Sequence, residues 1–252
     1  MGSVTGRVPG PGSFTAFAVI GEGLVTAGEV EEMRAAWRAK LDEEMDAGKG
    51  YRANKADWLD GRWSGMKAGT EGDDPRRGTT GVDIATLKAI GEKITRVPDD
   101  FQVHRTIARF LENRRKAIET GEGIDWATGE ALAFGTLLLE GCPVRLSGQD
   151  SERGTFSQRH SVLLDVHDAR KHIPLNFLRE GQAKYVVVDS LLSEEAALGF
   201  EYGYSATSPQ TLTLWEAQFG DFANGAQIQI DQFVAAGEAK WAQSSGLVML
   251  LP

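Results

Sequence analysis

Disulfide bonding is closed to this chain, because Cys142 is its single cysteine; the simplest setting is a reduced, cytoplasmic one. The four histidines, His104, His160, His167 and His172, fall at no metal-ligand spacing, so no metal site is expected from the chain itself. No apolar run approaches the ~20 residues of a membrane span. No basic start leads into an apolar segment either, so neither a membrane helix nor a secretory signal is expected. Positive charge is also short. Lysine and arginine total 27 against 36 acidic residues, a net charge of −9, whereas non-specific nucleic-acid binding needs cations to neutralise phosphates. There is no internal repeat. The composition is that of an ordinary globular protein, 41% apolar and 25% charged, and 252 residues suffice to bury a core as one large domain or two smaller ones.

Residues 1–13 are rich in glycine and proline with almost no apolar side chain, and are expected to form a disordered tail. Residues 14–121 read as a helical linker region. Phe14 to Ile20 can be a strand, and Gly21-Glu22-Gly23 after it imitates a dinucleotide fingerprint. The third glycine would stand at 26, where the chain has Thr26, so a nucleotide-binding oxidoreductase rests on an incomplete pattern. Thr26 and Glu29 form a capping box, and Val30, Met33, Trp37, Leu41 and Met45 mark one face of the helix behind it, as core or as a docking surface; Gly48 and Gly50 end it. Residues 51–81 read as an ordered loop anchored by Trp58 and Trp63, with a solvated stretch at 69–78. Val82, Ala85, Leu87, Ile90 and Ile94 predict a short helix. Pro98 stops it, and Asp99-Asp100 cap a second helix over Phe101–Thr120, whose Arg105, Arg109, Arg114, Arg115 and Lys116 are expected to be solvated or paired with acids. Gly121 is its C-terminal cap.

From Asp125 the pattern alternates. Asp125 caps a helix carrying Ala131, Leu132, Phe134, Leu137 and Leu138. Pro143–Leu146, Val162–Leu164 and Tyr185–Val188 are strand candidates. A helix at 193–206, a strand at 211–215, a helix at 223–237 and a strand at 246–251 follow. Helices between near-continuous apolar strands imply an α/β fold with a parallel sheet. The last strand has no covering helix behind it, so the domain at 122–252 is expected to be truncated at its C-terminus.

The most informative stretch runs from Ser190 to Ile230. Ser193 can cap a helix by accepting from its free N–H groups, and Glu194 and Glu195 then sit where the helix dipole favours negative charge. By position alone these are two helix-start carboxylates without chemistry. Three motifs change that reading: Arg145 to His160 (Arg-Leu-Ser-Gly-Gln-Asp-Ser-Glu-Arg-Gly-Thr-Phe-Ser-Gln-Arg-His), Leu192-Ser193-Glu194-Glu195, and Trp215 to Asn224 (Trp-Glu-Ala-Gln-Phe-Gly-Asp-Phe-Ala-Asn). In this order they resemble the thiamine-dependent first component of the 2-oxoglutarate dehydrogenase complex. The resemblance covers most of residues 20–252 and is most specific from Asp125 onward.

The resemblance implies a transketolase-like pyrimidine-binding domain with a helical region before it. Glu194 then hydrogen-bonds a pyrimidine nitrogen of thiamine diphosphate and shares a proton with it. Phe222 stacks on the ring, Phe219 and Leu192 line the same pocket, and Gln149 faces the cofactor's reactive end, where it can donate to a developing oxyanion. Arg159 and His160 either lie near the site or form a buried Arg–carboxylate pair and a satisfied histidine. The family's Gly-Asp-Gly motif for the diphosphate and Mg²⁺ does not occur here, so those are expected on a domain outside this chain. The implied partners are a homodimer subunit, the dihydrolipoyl succinyltransferase core and 2-oxoglutarate, with 2-oxoadipate also compatible. An inactive assembly fragment of such an enzyme is the alternative.

Overall fold

The computed structural model describes residues 19–52, 60–66 and 79–252, and the chain separates into two units, 1–55 and 56–252. The first is represented by α1 (Ala27–Gly50). Its start is the capping box expected from the sequence: Thr26 Oγ1 accepts from Glu29 N at 3.2 Å and the Glu29 carboxylate accepts from Thr26 N at 2.7 Å. None of its residues is buried, and the stripe of Met33, Trp37, Leu41 and Met45 lies open along one side.

Val19 and Ile20 are helical, not strand. Leu24 N donates to Val19 O and Gly23 N to Ile20 O, with Gly23 at φ 71°, the pattern that closes a helix C-terminus. A dinucleotide fingerprint needs a strand there, so that reading falls. The expectations for 1–13, for Phe14 to Ala18, for Trp58 and for 69–78 lie outside the described residues. Trp63 is an anchor as expected: its indole Nε1 donates to Ala206 O at 2.7 Å.

In the second unit, α2 (Ile84–Ile94), α3 (Arg105–Thr120) and α4 (Trp126–Leu139) precede the sheet. Asp83 and Asp125 cap α2 and α4 by accepting from Thr86 N (2.8 Å) and Thr128 N (2.7 Å), and Gly121 ends α3 at φ 76°. α3 begins at Arg105, capped by His104, and not at Phe101. The Asp165 carboxylate takes Gln102 N–H at 3.0 Å and Val166 N donates to Gln102 O at 2.9 Å, which holds this stretch extended. Arg114 is a further correction, because it is buried. Its guanidinium lies 4.5 Å from the Phe110 ring centre and donates to Thr128 Oγ1 and to the carbonyls of Gln158 and Arg159.

The sheet comprises β1 (Val144–Gly148), β4 (Tyr185–Asp189), β5 (Leu212–Glu216) and β6 (Val248–Leu250), ordered β4-β1-β5-β6 and parallel throughout. The chain order jumps because Leu163–Leu164 (β2) does not join it. β2 pairs antiparallel with Lys171–His172 (β3) in a separate two-residue ribbon, since Leu164 is exposed and only Leu163 is buried. Alternation along the strands sorts side chains to two faces. Leu146, Val187 and Leu214 meet Ile90, Ile118, Leu132 and Leu138 of α2–α4 on one face. Trp215 meets Leu198 of α5 (Glu194–Thr207), with Ala217, Ala223 and Ala226, on the other. Glycine permits close helix contacts: a Cβ on Gly91 of α2 would lie 2.4 Å from Ile118 Cγ2, and one on Gly135 of α4 2.5 Å from Ile90 Cγ2. α5 is clamped to β1 by Arg145, which donates to both Glu201 oxygens at 2.7 Å beneath the Tyr204 ring.

The helix expected over 223–237 is broken into a 3₁₀ segment (Gly220–Ala226), one α turn (Gln227–Gln229), a π turn (Ile230–Val234) and a short helix (Gly237–Trp241). Gly225 and Gly237 both lie in it, and glycine weakens helix interiors. None of these short segments has a side-chain cap.

Candidate functional site

Register makes the site. Gly148 pairs with Asp189 on one side and with Glu216 on the other, so three parallel strands end level at their C-terminal edge. Ligands of open parallel sheets bind beyond that edge. Gln149 follows β1, Ser193 and Glu194 follow β4, and Phe219 and Phe222 follow β5.

Gly148 allows the close approach. A Cβ there would lie 2.2 Å from Glu216 O and 2.7 Å from Ser151 Oγ. Ser193 caps α5 by accepting from Ala196 N at 3.2 Å, which fixes Glu194 in the first turn. Across this edge Gln149 Nε2 donates to Glu194 Oε1 at 2.9 Å, joining residues 45 apart in the chain. Both side chains are half-buried, whereas Glu195 is exposed. Ser190, Ala197, Trp215, Glu216, Ala217 and Gln218 complete the walls of a narrow cleft around them. Glu194 Oε2 accepts no hydrogen bond from a described residue. A Cβ on Gly225 would stand 3.4 Å from it, in van der Waals contact.

The aromatic side of the site is open. Phe219 and Phe222 are 37% and 50% exposed and meet edge to face at 5.8 Å, and Phe156 meets Phe219 edge to face at 5.6 Å. Phe156 was not singled out from the sequence. Leu192 is 89% exposed.

Beneath the cleft lies a buried ionic network. Arg159 donates from Nε and Nη2 to Glu130 (2.6 and 3.2 Å), from Nη1 to Glu216 Oε1 (2.8 Å) and Ser151 O (3.1 Å), and from Nη2 to Glu216 Oε2. Burial disfavours its charge, but Glu216 and Glu130 more than compensate, so its pKa is raised. Of the two readings of Arg159 the geometry is that of the buried pair, with two carboxylates instead of one. His160 packs edge to face on Phe110 at 5.1 Å, and burial lowers its pKa. Glu130 and Glu216 were missed, although each is the lone charged residue of an apolar element, Trp126–Leu139 and Leu212–Glu216. Such a charge has to be paired when buried. Among the described residues no cluster of three or more His, Cys, Asp or Glu side chains could hold a metal.

Residues 122–252, just over half of the chain, match the family model described as transketolase, pyrimidine binding domain. The chain belongs to the transketolase pyrimidine-binding family. Proteins named 2-oxoglutarate dehydrogenase E1 component from Brucella canis and Brucella suis are 61% identical to it over 234 residues, and that from Brucella anthropi is 60% identical over 234. These alignments cover 93% of this chain and 23% of each relative, so the chain spans about a quarter of the length of those relatives. A pyrimidine-binding domain must offer a flat ring one polar partner and an apolar wall. Half-buried Glu194, whose Oε2 has no donor among the described residues, and the open Phe219–Phe222 pair fit that requirement. No described helix is long and apolar enough to cross a membrane.

Proposed function

We propose that this chain supplies the pyrimidine side of a thiamine diphosphate site in a 2-oxoglutarate dehydrogenase E1 component. One observation carries the reading: Gln149 holds Glu194 Oε1 at 2.9 Å, while Oε2 of this half-buried residue accepts no hydrogen bond from a described residue at the sheet's C-terminal edge. Thiamine diphosphate, when bound, supplies the electron sink that decarboxylation of a 2-oxo acid needs.

The chain's own residues do the rest. Glu194 accepts from, or shares a proton with, a ring nitrogen of the pyrimidine. The Gln149 amide fixes the carboxylate's rotation, so Gln149 acts here on Glu194 as well as facing the reactive end. Phe222 and Phe219 wall the ring, at ~0.5–1.5 kcal/mol per aromatic contact beyond area burial, and Leu192 closes the rim. The diphosphate and Mg²⁺ are held by a part of the longer protein outside this chain. The remaining wall comes from a second subunit, whose approach would cover the open aromatic face. The whole enzyme would decarboxylate 2-oxoglutarate, pass the succinyl group to the lipoyl arm of a succinyltransferase core, and so serve the tricarboxylic acid cycle.

The test is CO₂ release from 2-oxoglutarate by the complete enzyme carrying Glu194→Gln. General acid–base assistance is worth ~10²–10⁴ in rate, and a loss of that size is expected. Near-normal turnover would remove Glu194 from the site. Phe222→Ala should weaken thiamine diphosphate binding in the same enzyme, as read by titration.

A further inference from the structure

We propose that Arg159 is a positioning residue: it locks the 149–160 loop so that the Gln149 amide stays on Glu194 and Phe156 stays on the aromatic wall. The consequence for catalysis rests on the reading of Glu194 given above. The coupling from Arg159 to Gln149 does not.

The loop needs a lock. Asp150, Ser157 and His160 have φ of 58°, 55° and 45°, left-handed values disfavoured for residues that carry a Cβ. Local bonds hold its middle: the N–H groups of Arg159 and His160 both donate to Arg153 O at 3.0 Å. The start of the loop is tethered by Glu152 N, which donates to Asp189 Oδ1 at the end of β4 (2.8 Å), and by Gln218 Nε2, which donates to Asp150 Oδ2 (2.9 Å). Arg159 ties its far end to the same frame, reaching back to Ser151 O, two residues after Gln149, and outward to Glu130 on α4 and Glu216 at the end of β5. The guanidinium therefore ties the start of the loop, its end, a helix and the strand that leads to Phe219 and Phe222. Arg114 of α3 supports it by donating to the carbonyls of Gln158 and Arg159.

A buried ion pair is weak evidence for stability, because apolar residues of similar volume often replace one at no loss. What apolar residues cannot reproduce is the fork. A guanidinium donates in a fixed plane to several acceptors at once, whereas an ammonium offers a compact charge on a flexible stem. Arg159→Lys keeps the charge and loses the fork.

The experiment reads the Gln149 side-chain amide in ¹H–¹⁵N spectra of the 252-residue chain, assigned by its loss in Gln149→Ala. In the unsubstituted chain its protons should be shifted from free-glutamine positions and slow to exchange with solvent. In Arg159→Lys they should move toward free-glutamine positions and exchange about tenfold faster, the scale of one net hydrogen bond. Glu130→Gln, which weakens two of the five bonds while Glu216 keeps the charge paired, should give the same shift at smaller size. A merely structural Arg159 would lower the melting temperature and leave this signal alone, so an unchanged Gln149 amide in either folded variant overturns the proposal. Glu194→Gln turnover reports separately. Full activity there would overturn the role given to Glu194 while the Arg159–Gln149 coupling could still be measured, and the reverse pairing would overturn only the coupling.

Discussion

Helices α1 and α4 are both capped by a side chain that the sequence identifies, Thr26 in one and Asp125 in the other. Their interiors differ in every other respect. α1 has 24 residues, a visible apolar stripe and no buried side chain. α4 has 14 residues, no clear stripe, and buries Ala127, Leu132, Phe134 and Leu138 together with Thr128, Gly135 and Thr136. Capping and periodicity thus report that a helix forms. They do not report what it buries, which depends on whether other elements reach it.

This contrast can be broken at its strongest point by removing a charge from each helix environment. Arg159→Leu strands Glu130 and Glu216 in the interior, and losing one partner of a buried ion pair typically costs about 3–5 kcal/mol. Arg34→Leu in α1 removes an exposed pair with Glu31 and should change stability by less than about 1 kcal/mol. Denaturant unfolding of the two variants measures both; equal losses would dissolve the distinction.

Glycine substitutions should then differ in sign. Gly135→Ala drives a methyl to 2.5 Å from Ile90 Cγ2, and overpacking of this kind costs about 1–3 kcal/mol. Gly48→Ala in α1 meets nothing within 4 Å and should stabilise the helix by roughly 0.5–1 kcal/mol through backbone entropy. Thermal melts of both variants would settle the signs. Thr26→Ala should cost about 1 kcal/mol and act locally. Hydrogen exchange should accelerate in the first turn of α1 and not in β1 or β5.

The smallest effect is a difference in pH window. Burial lowers the pKa of His160 and His172, so the unfolded chain binds protons more readily there, and the 56–252 unit should lose stability as pH falls below the ordinary histidine value of 6.5. α1 contains no histidine. Its capping Glu29 has a pKa lowered by hydrogen bonds from the Thr26 backbone and hydroxyl, so its contribution persists above 4.5 and fades as pH falls through its lower, folded value. Circular dichroism and tryptophan fluorescence followed from pH 7 toward about 4 should therefore report different onsets for the two units.

Several parts of the site were legible in advance. Ser193 as a cap, Glu194 in a first turn, and strands feeding Gln149, Glu194 and Phe219 all follow from local rules, and the structure has them. Local rules stop at sequence distances of a few residues. The bond from Gln149 to Glu194 spans 45 positions, and those from Arg159 reach 29 positions back to Glu130 and 57 forward to Glu216. The same limit explains the errors. Arg114 sits in a helix of basic residues and reads as solvated, yet α4 and the loop end at Gln158–Arg159 close over it. Leu163 and Leu164 have strand composition, yet too little of that segment is buried to enter the main sheet.

By itself the sequence determined the helix ends that carry their own caps, at Thr26, Gly121, Asp125 and Ser193, and the four strands of the main sheet, because caps and periodicity act between near neighbours. Only the tertiary structure decided that a glutamine, a glutamate and a pair of phenylalanines would stand along one edge. That requires Gly148, Asp189 and Glu216 to come level, and register between parallel strands is set by the packing of both faces of the sheet at once.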